Sequence, residues 1–252
     1  MNPSDTGPKR PPPRRAEVLG LDQVSPRMVR VTFSGEGLRG FGQPVPSAHI
    51  KIFFPEGNWT PHSDAPRPPS RTYTPLAFDP AKNELEVEFV LHGAGLAADW
   101  VRRARRGDVV YIGGPRGGFQ PAHDLREIVI LCDDTALPAA TMIVRALSTR
   151  CNVKLVAEVG GEDEARDIDR LPASRIEWLV RDDRQPCGTL VRRLADLTAA
   201  DDAFWWVACE AKAMRKMRSI LLERGNIAKE RLITRGYWQA GETNHPDHDY
   251  GV

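Results

Sequence analysis

Residues 70–79 read SRTYTPLAFD, a run in which a cation, an aromatic ring and a hydroxyl precede a proline. On a β-strand Arg71 and Tyr73 point to one face, while Thr72 and Thr74 point to the other. An arginine fork binds phosphate bidentately. A tyrosine beside it can stack on a planar ring, and a threonine can hydrogen-bond that ring's edge. Pro75 removes a ladder donor, so the strand frays where a ligand would enter. An edge strand with a surface arginine and a half-buried tyrosine uses the same residues, so the surroundings must decide.

Those surroundings have two rhythms. Up to about residues 120–126 the chain alternates at period 2 between clusters of Pro and Gly, as half-buried strands do. The clearest cases are MVRVTFSG (28–35), HIKIFFPEG (49–57), SRTYTPLAF (70–78), ELEVEFVLHG (84–93) and DVVYIGG (108–114). A helix is expected over LAADWVRRARRGD (96–108), stopped by Gly107. Short strands with one inserted helix suggest a small antiparallel barrel. Beyond residue 126, apolar runs (EIVILC, NVKLVAEV, RIEWLVR, FWWVACE, ERLITRGYW) alternate with helical segments. That order predicts a parallel sheet covered on both faces, with ligands at the carboxyl ends of its strands. The expected domains are a leader (1–13), the barrel (14–123), the α/β domain (124–242) and a tail (243–252).

With 252 residues, two domains are a reasonable expectation. The 35 basic and 34 acidic residues give a formal charge of +1, so no global field recruits nucleic acid or an anionic membrane. No apolar run approaches membrane-spanning length. The first 15 residues, MNPSDTGPKRPPPRR, lack the apolar region of a secretory signal and read as a disordered leader. Cys132, Cys151, Cys187 and Cys209 are widely spaced, which argues against disulfides and metal sites and fits a reducing cytoplasm.

Several further stretches carry candidate chemistry. VLHGAGLAADW (90–100) runs a strand through glycines into a helix start, an arrangement suited to holding an anion on free N–H groups; His92 ends the strand, and Gly93 lets backbone approach a ligand. CDDTALPA (132–139) brings Asp133, Asp134 and Thr135 to a strand end, where they cap the next helix or face the crevice. In WWVACEAKAMRKMR (205–218) Glu210 ends a strand, and Lys212, Arg215 and Lys216 sit early in a helix, against its dipole, which hints at an anionic ligand. RGYWQAGE (235–242) supplies Tyr237 and Trp238 as core or as a ring-stacking lid, and HPDHD (245–249) reads as tail.

Taken in order, RTYT (71–74), FVLHG with downstream Trp100, GD (107–108), GPRG (114–117), DDTALPA (133–139), WVACEA (206–211) and GYW-x-x-G (236–241) resemble the siderophore-interacting protein family of ferredoxin reductase-like flavoproteins, over about residues 14–242. The resemblance implies a six-stranded antiparallel flavin-binding barrel joined to a nicotinamide-nucleotide domain. FAD would be reduced by NADPH, NADH or a ferredoxin-type carrier protein. It would pass single electrons to Fe(III) in a siderophore or other ferric chelate, releasing Fe(II). By position, Arg71 would pair with the FAD phosphates, Tyr73 and Thr74 would hold the isoalloxazine, and Leu76 would lie on the same cofactor strand. His92 and Gly93 would line the flavin loop, and Ala97 and Ala98 would start the pyrophosphate helix. Asp134, Thr135 and Ala136 would contact the cofactor from the second domain, Glu210 and Lys212 would lie on the nicotinamide side, and Tyr237 and Trp238 would sit near the flavin's face. No catalytic acid–base pair or metal site is implied, because the flavin carries the chemistry.

The sequence departs from the family pattern at Leu76 and Gln239, where arginine is usual, at Cys132 (usually Gly) and at Leu96 (usually Pro). The Leu76 and Gln239 departures motivate another reading, a flavin reductase-like enzyme with a non-siderophore acceptor; a further alternative, of another class, is a non-catalytic flavoprotein that binds iron chelates or a partner.

Overall fold

The structure, a computed structural model, describes residues 11–250 except 58, 94, 169–170, 173–174, 183–184, 226, 244 and 247–248. Most of the expected leader, and residues 244, 247–248 and 251–252 of the expected tail, lie outside the described residues.

The first half forms one antiparallel sheet of seven strands: β1 (Arg14–Ser25), β2 (Met28–Ser34), β3 (Ala48–Phe53), β4 (Ser70–Tyr73), β5 (Pro75–Asp79), β6 (Glu84–Val90) and β7 (Val109–Gly117). Their order is β4-β3-β7-β1-β2-β6-β5. Six strands were expected, and the difference lies at Thr74. The run 70–78 is two strands: β4 pairs with β3 (Ile50 opposite Tyr73), and β5 pairs with β6 (Pro75 opposite Val87). Pro75 therefore restarts a strand rather than fraying one. β4 and β5 are the two outer strands of the sheet, so its opposite edges are joined in the chain through Thr74 alone. β1 is a strand the alternation did not single out, because irregular register near Gly20 and Gln23 breaks its period.

Inward residues of this sheet, among them Phe33, Ile50, Ile52, Leu85, Phe89 and Ile112, are fully buried. Helix α1 (Leu96–Arg103) covers them through Trp100, whose ring centroid lies 5.1 Å from Phe54, 6.0 Å from Phe89 and 6.2 Å from Phe33. The helix ends four residues before the expected stop at Gly107. The Asp108 carboxylate accepts the Arg105 N–H at 2.8 Å, a local turn that competes with helix continuation.

The second half follows the expected alternation: β8 (Glu127–Asp133), α2 (Leu137–Leu147), β9 (Asn152–Val159), β10 (Ile176–Val180), α3 (Gly188–Leu194), β11 (Phe204–Glu210), α4 (Ala211–Glu223) and β12 (Leu232–Trp238). The five strands are parallel in the order β10-β9-β8-β11-β12. Every residue of β8 is buried, because α2 packs on one face of the sheet while α3 and α4 pack on the other; this is why its sequence is a continuous apolar run. All four cysteines are free and buried, acting as small apolar groups. The strand order reverses between β8 and β11, so Asp133 and Glu210 stand side by side at the switch point, where α/β sheets bind ligands.

Candidate functional site

A cleft with a cavity volume of about 360 Å3 opens between the two sheets, within the usual range of ligand pockets. The first sheet contributes Arg71, Tyr73, Thr74, His92, Ala97 and Ala98 from the sequence-derived candidates, and the second contributes Thr135, Tyr237 and Trp238. Leu76, Gly93, Asp134, Ala136, Glu210 and Lys212 do not line it. Leu76 is buried in β5, one residue beyond the proline that opens that strand, and Ala136 is buried ahead of α2. Gly93 is exposed at positive φ, and its carbonyl accepts from Arg102 Nη2 at 2.7 Å. Lys212 is exposed on α4.

On the side of the first sheet the cleft offers positive charge, free amide groups and an aromatic surface. Arg71 Nη1 donates to the Ser70 carbonyl at 2.8 Å, and the guanidinium has no carboxylate partner among the described residues. The N-terminus of α1, also on the cleft, has no side-chain cap, which leaves first-turn N–H groups available to an anion. Tyr73 packs on Phe89 with centroids 4.3 Å apart, and burial raises its hydroxyl pKa. At the end of β7, Gly118 has φ +128, and a Cβ there would strike Val45, so the backbone surface at this wall stays bare. His92 stands on the rim, its pKa lowered by loss of water and then by Arg181 and Arg102, against an opposing effect of Asp133.

The side formed by the second sheet is organised by the first of the two adjacent acids, the one to which the resemblance assigns no cofactor contact. Asp133 is fully buried at the end of β8. Its Oδ2 accepts from Trp238 Nε1 at 2.7 Å and from the Glu210 N–H at 3.1 Å, while Oδ1 accepts from the Thr135 hydroxyl at 2.5 Å and the Thr135 N–H at 3.0 Å. One carboxylate thus fixes the Trp238 indole, the end of β11 and the start of the α2 turn. Asp134 points elsewhere, to Arg181 at 2.9 Å, and burial followed by the neighbouring Asp133 pushes its pKa up to about 7 despite that pairing. Glu210, nearly fully buried, caps α4 by accepting the Ala213 N–H at 2.9 Å and ties down the Ala240 N–H at 3.2 Å. Its place at a strand-to-helix junction could have announced the capping role from sequence.

The two walls meet at the feature that opened the sequence. The Tyr237 hydroxyl shares hydrogen bonds with Ser47 and Thr74, and its pKa is raised to about 12, chiefly by burial. Thr74 is therefore both the bend between β4 and β5 and the docking point for β12. In the same cleft, Trp206 has a buried Nε1 with no hydrogen-bond partner among the described residues. Sequence reasoning also missed Arg235 and the tail residues His245, Pro246 and Tyr250, which line the same cleft. No signal marks the tail, because its contacts are distant in sequence. No cluster of three or more metal-ligating side chains occurs among the described residues.

An unpaired guanidinium, an uncapped helix start, an orphaned donor and opposed aromatic rings suit a ligand with both a phosphate and a planar ring. Residues 17–119 match the siderophore-interacting FAD-binding domain, and residues 125–241 match the siderophore-interacting protein family. The NADPH-dependent ferric-chelate reductase of Escherichia coli is 30% identical over 245 residues, covering 90% of this chain and 93% of that protein. The ferric vibriobactin reductase ViuB of Vibrio cholerae is 29% identical over 257 residues, covering 94% and 93%. Among solved structures, a siderophore utilization protein from T. fusca superimposes with a TM-score of 0.83 at 30% identity, covering 95% of this chain and 98% of the other. Two consecutive family matches spanning both walls of the cleft leave one assignment: the chain belongs to the siderophore-interacting protein family.

Proposed function

We propose that this chain is an FAD-dependent ferric-siderophore reductase that takes its electrons from NADPH or NADH and works in the cytoplasm. The observation that carries the reading is the convergence, in one cleft, of the unpaired Arg71, the uncapped start of α1 and the rings of Tyr73, Tyr237 and Trp238. Its family membership and the reductase relatives agree with it. No helix among the described residues is long and apolar enough to cross a membrane. In this reading residues 14–123 form the flavin domain, with the seven-stranded sheet closing as a barrel at Thr74, and residues 124–242 form the nicotinamide-nucleotide domain.

The residues present fit FAD. Arg71 and the N–H groups of Ala97 and Ala98 would hold the pyrophosphate, where negative charge gains from both the guanidinium and the helix dipole. Tyr73 and Thr74 would hold the isoalloxazine, with His92 and Gly93 shaping the loop beside it. The chemistry that bound FAD supplies is acceptance of two electrons as hydride from a reduced nicotinamide and their release, one at a time, to Fe(III) in a siderophore. The protein's part is to bind, orient and exclude water. Asp133 locks Trp238 through its indole N–H, Thr135 reaches the cleft from the same turn, and Tyr237 pins β12 against Thr74. Asp134, Ala136, Glu210 and Lys212 act from behind or beside the cleft rather than within it.

The test is anaerobic. NADPH or NADH added to the FAD-loaded protein should bleach the flavin absorbance, and a ferric chelate should then restore it while an Fe(II) trap colours. Bleaching without Fe(II) would replace the siderophore by another acceptor, and failure of both nucleotides would point to a ferredoxin-type donor or to a protein that binds chelates without turnover. Protein unable to take up FAD would end the reading altogether.

A further inference from the structure

Apart from Arg71, one other arginine of the cleft is left without a carboxylate among the described residues. Arg235 lies on β12 two residues before Tyr237, so both side chains project to one side of the sheet. Some half-buried arginines elsewhere are paired with carboxylates, Arg30 with Glu88 at 2.7 Å and Arg181 with Asp134 at 2.9 Å, while Arg14 and Arg224 rest on backbone carbonyls and an aromatic ring; unlike those two, Arg235 lines the cleft. Arg235 has only the Thr234 carbonyl, which accepts from its Nη1 at 2.8 Å, and no carboxylate among the described residues. Burial lowers its pKa, and Tyr250 and then Tyr237 offset part of the loss. Among the described residues, the two acids that line the cleft are engaged elsewhere: Glu88 is clamped by Arg30 and by Arg166 at 2.8 Å, and Glu242 faces Gln239 and His245. A desolvated cation with no counter-charge is costly unless a ligand supplies the charge.

What covers Arg235 is the C-terminal tail. The Tyr250 ring lies over the guanidinium, with 4.3 Å from Cζ to the ring centroid. The tail is held along β12 by Gly236 N–H to the Asp249 carbonyl at 2.8 Å, by the Thr234 hydroxyl to the Tyr250 carbonyl at 2.5 Å, and by an Arg215–Asp249 ion pair at 2.5 Å. The Tyr250 ring is itself at the surface, 41% exposed. A quadrupole partly satisfies a cation but does not neutralise it, so an anion competes well for the same position.

We propose that Arg235 is the specificity-determining residue for an anionic ferric chelate, with Tyr250 as a displaceable cover that the chelate's carboxylate or phenolate oxygens replace. This rests on the reductase reading for the identity of the chelate, whereas the anion site itself does not. The test uses redox-inert gallium complexes, so that binding is read without turnover: anionic Ga(III)–EDTA and cationic Ga(III)–desferrioxamine B are titrated into FAD-loaded protein by calorimetry, at equal flavin content for every variant. Arg235→Gln should weaken the anionic complex about tenfold or more, the effect of one lost charge-assisted hydrogen bond, and leave the cationic complex within about twofold. Tyr250→Ala should tighten the anionic complex, while Tyr250→Phe, which keeps the ring, should match the wild type. The proposal is overturned if the wild type does not bind the anionic complex, if Arg235→Gln binds both complexes as the wild type does or weakens both equally, or if Tyr250→Ala binds the anionic complex no more tightly. Arg235-dependent binding without Fe(II) release from Fe(III)–EDTA would sink the reductase reading alone; Fe(II) release with Arg235→Gln unchanged in binding would sink this one alone.

Discussion

Replacing Arg71 by alanine isolates the anion-binding half of the cleft. In the protein alone the guanidinium makes one hydrogen bond, to the Ser70 carbonyl at 2.8 Å, and no ion pair with a described residue. Its removal should therefore cost the apoprotein only about 0.5–1.5 kcal/mol, the net value of a single such bond. Toward FAD the loss is larger. A fork donating two charge-assisted bonds to the pyrophosphate contributes about 1.5–3 kcal/mol per bond, together about 3–6 kcal/mol. At about 1.4 kcal/mol per decade, the dissociation constant should rise on the order of 10²- to 10⁴-fold. Arg71→Lys keeps the charge and loses the planar fork, so it should fall between alanine and wild type. Titrating apoprotein into free FAD and following flavin fluorescence gives the constants, and urea unfolding of the apoproteins gives the fold's share. An Arg71→Ala dissociation constant within about threefold of wild type would refute the phosphate role. So would a loss of affinity matched by an equal loss of apoprotein stability.

Two further perturbations test how the cleft is held together. Tyr237→Phe removes the hydroxyl shared with Ser47 and Thr74, and should lower stability by about 1–3 kcal/mol for two bonds at an unchanged urea slope; an unmoved midpoint would mean that those bonds carry no net weight. Asp134 has its pKa raised from 3.8 to about 7 in the fold, so the folded state binds the extra proton, and the stability this supplies is full below pH 3.8 and lost as pH rises through about 7. Asp134→Asn should gain on the wild type between pH 4 and 8, by at most about 4 kcal/mol, and a stability difference independent of pH by urea unfolding would contradict the assignment.

The second half was legible because each of its elements carries its own periodic signal. β8 is buried on both faces and reads as EIVILC; α4 repeats buried Ala213, Met214, Met217 and Leu221 at helical spacing. The change of partner at Thr74 was not legible, since Pro75 marks an interruption but nothing local tells that β4 pairs with β3 and β5 with β6. The same limit applies to Asp133 and Asp134. Adjacent acids at a strand end look equivalent in sequence, yet alternation sends one toward Trp238 and the other toward Arg181. Asp133, the residue passed over, fixes a cleft ring; Asp134, the residue chosen, lies behind it. Lys212, a cation early in α4 that suggested a ligand, stands exposed outside the cleft lining, and Arg215 one turn on pairs with Asp249 of the tail.

Thr74 gives a physical reason for the cleft's position. The two edges of the first sheet approach each other at this residue, where Pro75 has no N–H to give and the β5 register is irregular beyond it. A threonine at such a bend has a hydroxyl not needed by either strand, and burial requires it to find a partner. Tyr237 supplies that partner from β12, whose end also carries Trp238, fixed in turn by Asp133 at the switch point of the second sheet. The weak corner of one sheet and the binding edge of the other are thus tied by the same short chain of hydrogen bonds. Any ligand lying along Arg71 and Tyr73 must pass that junction, which places it between the two domains rather than within either.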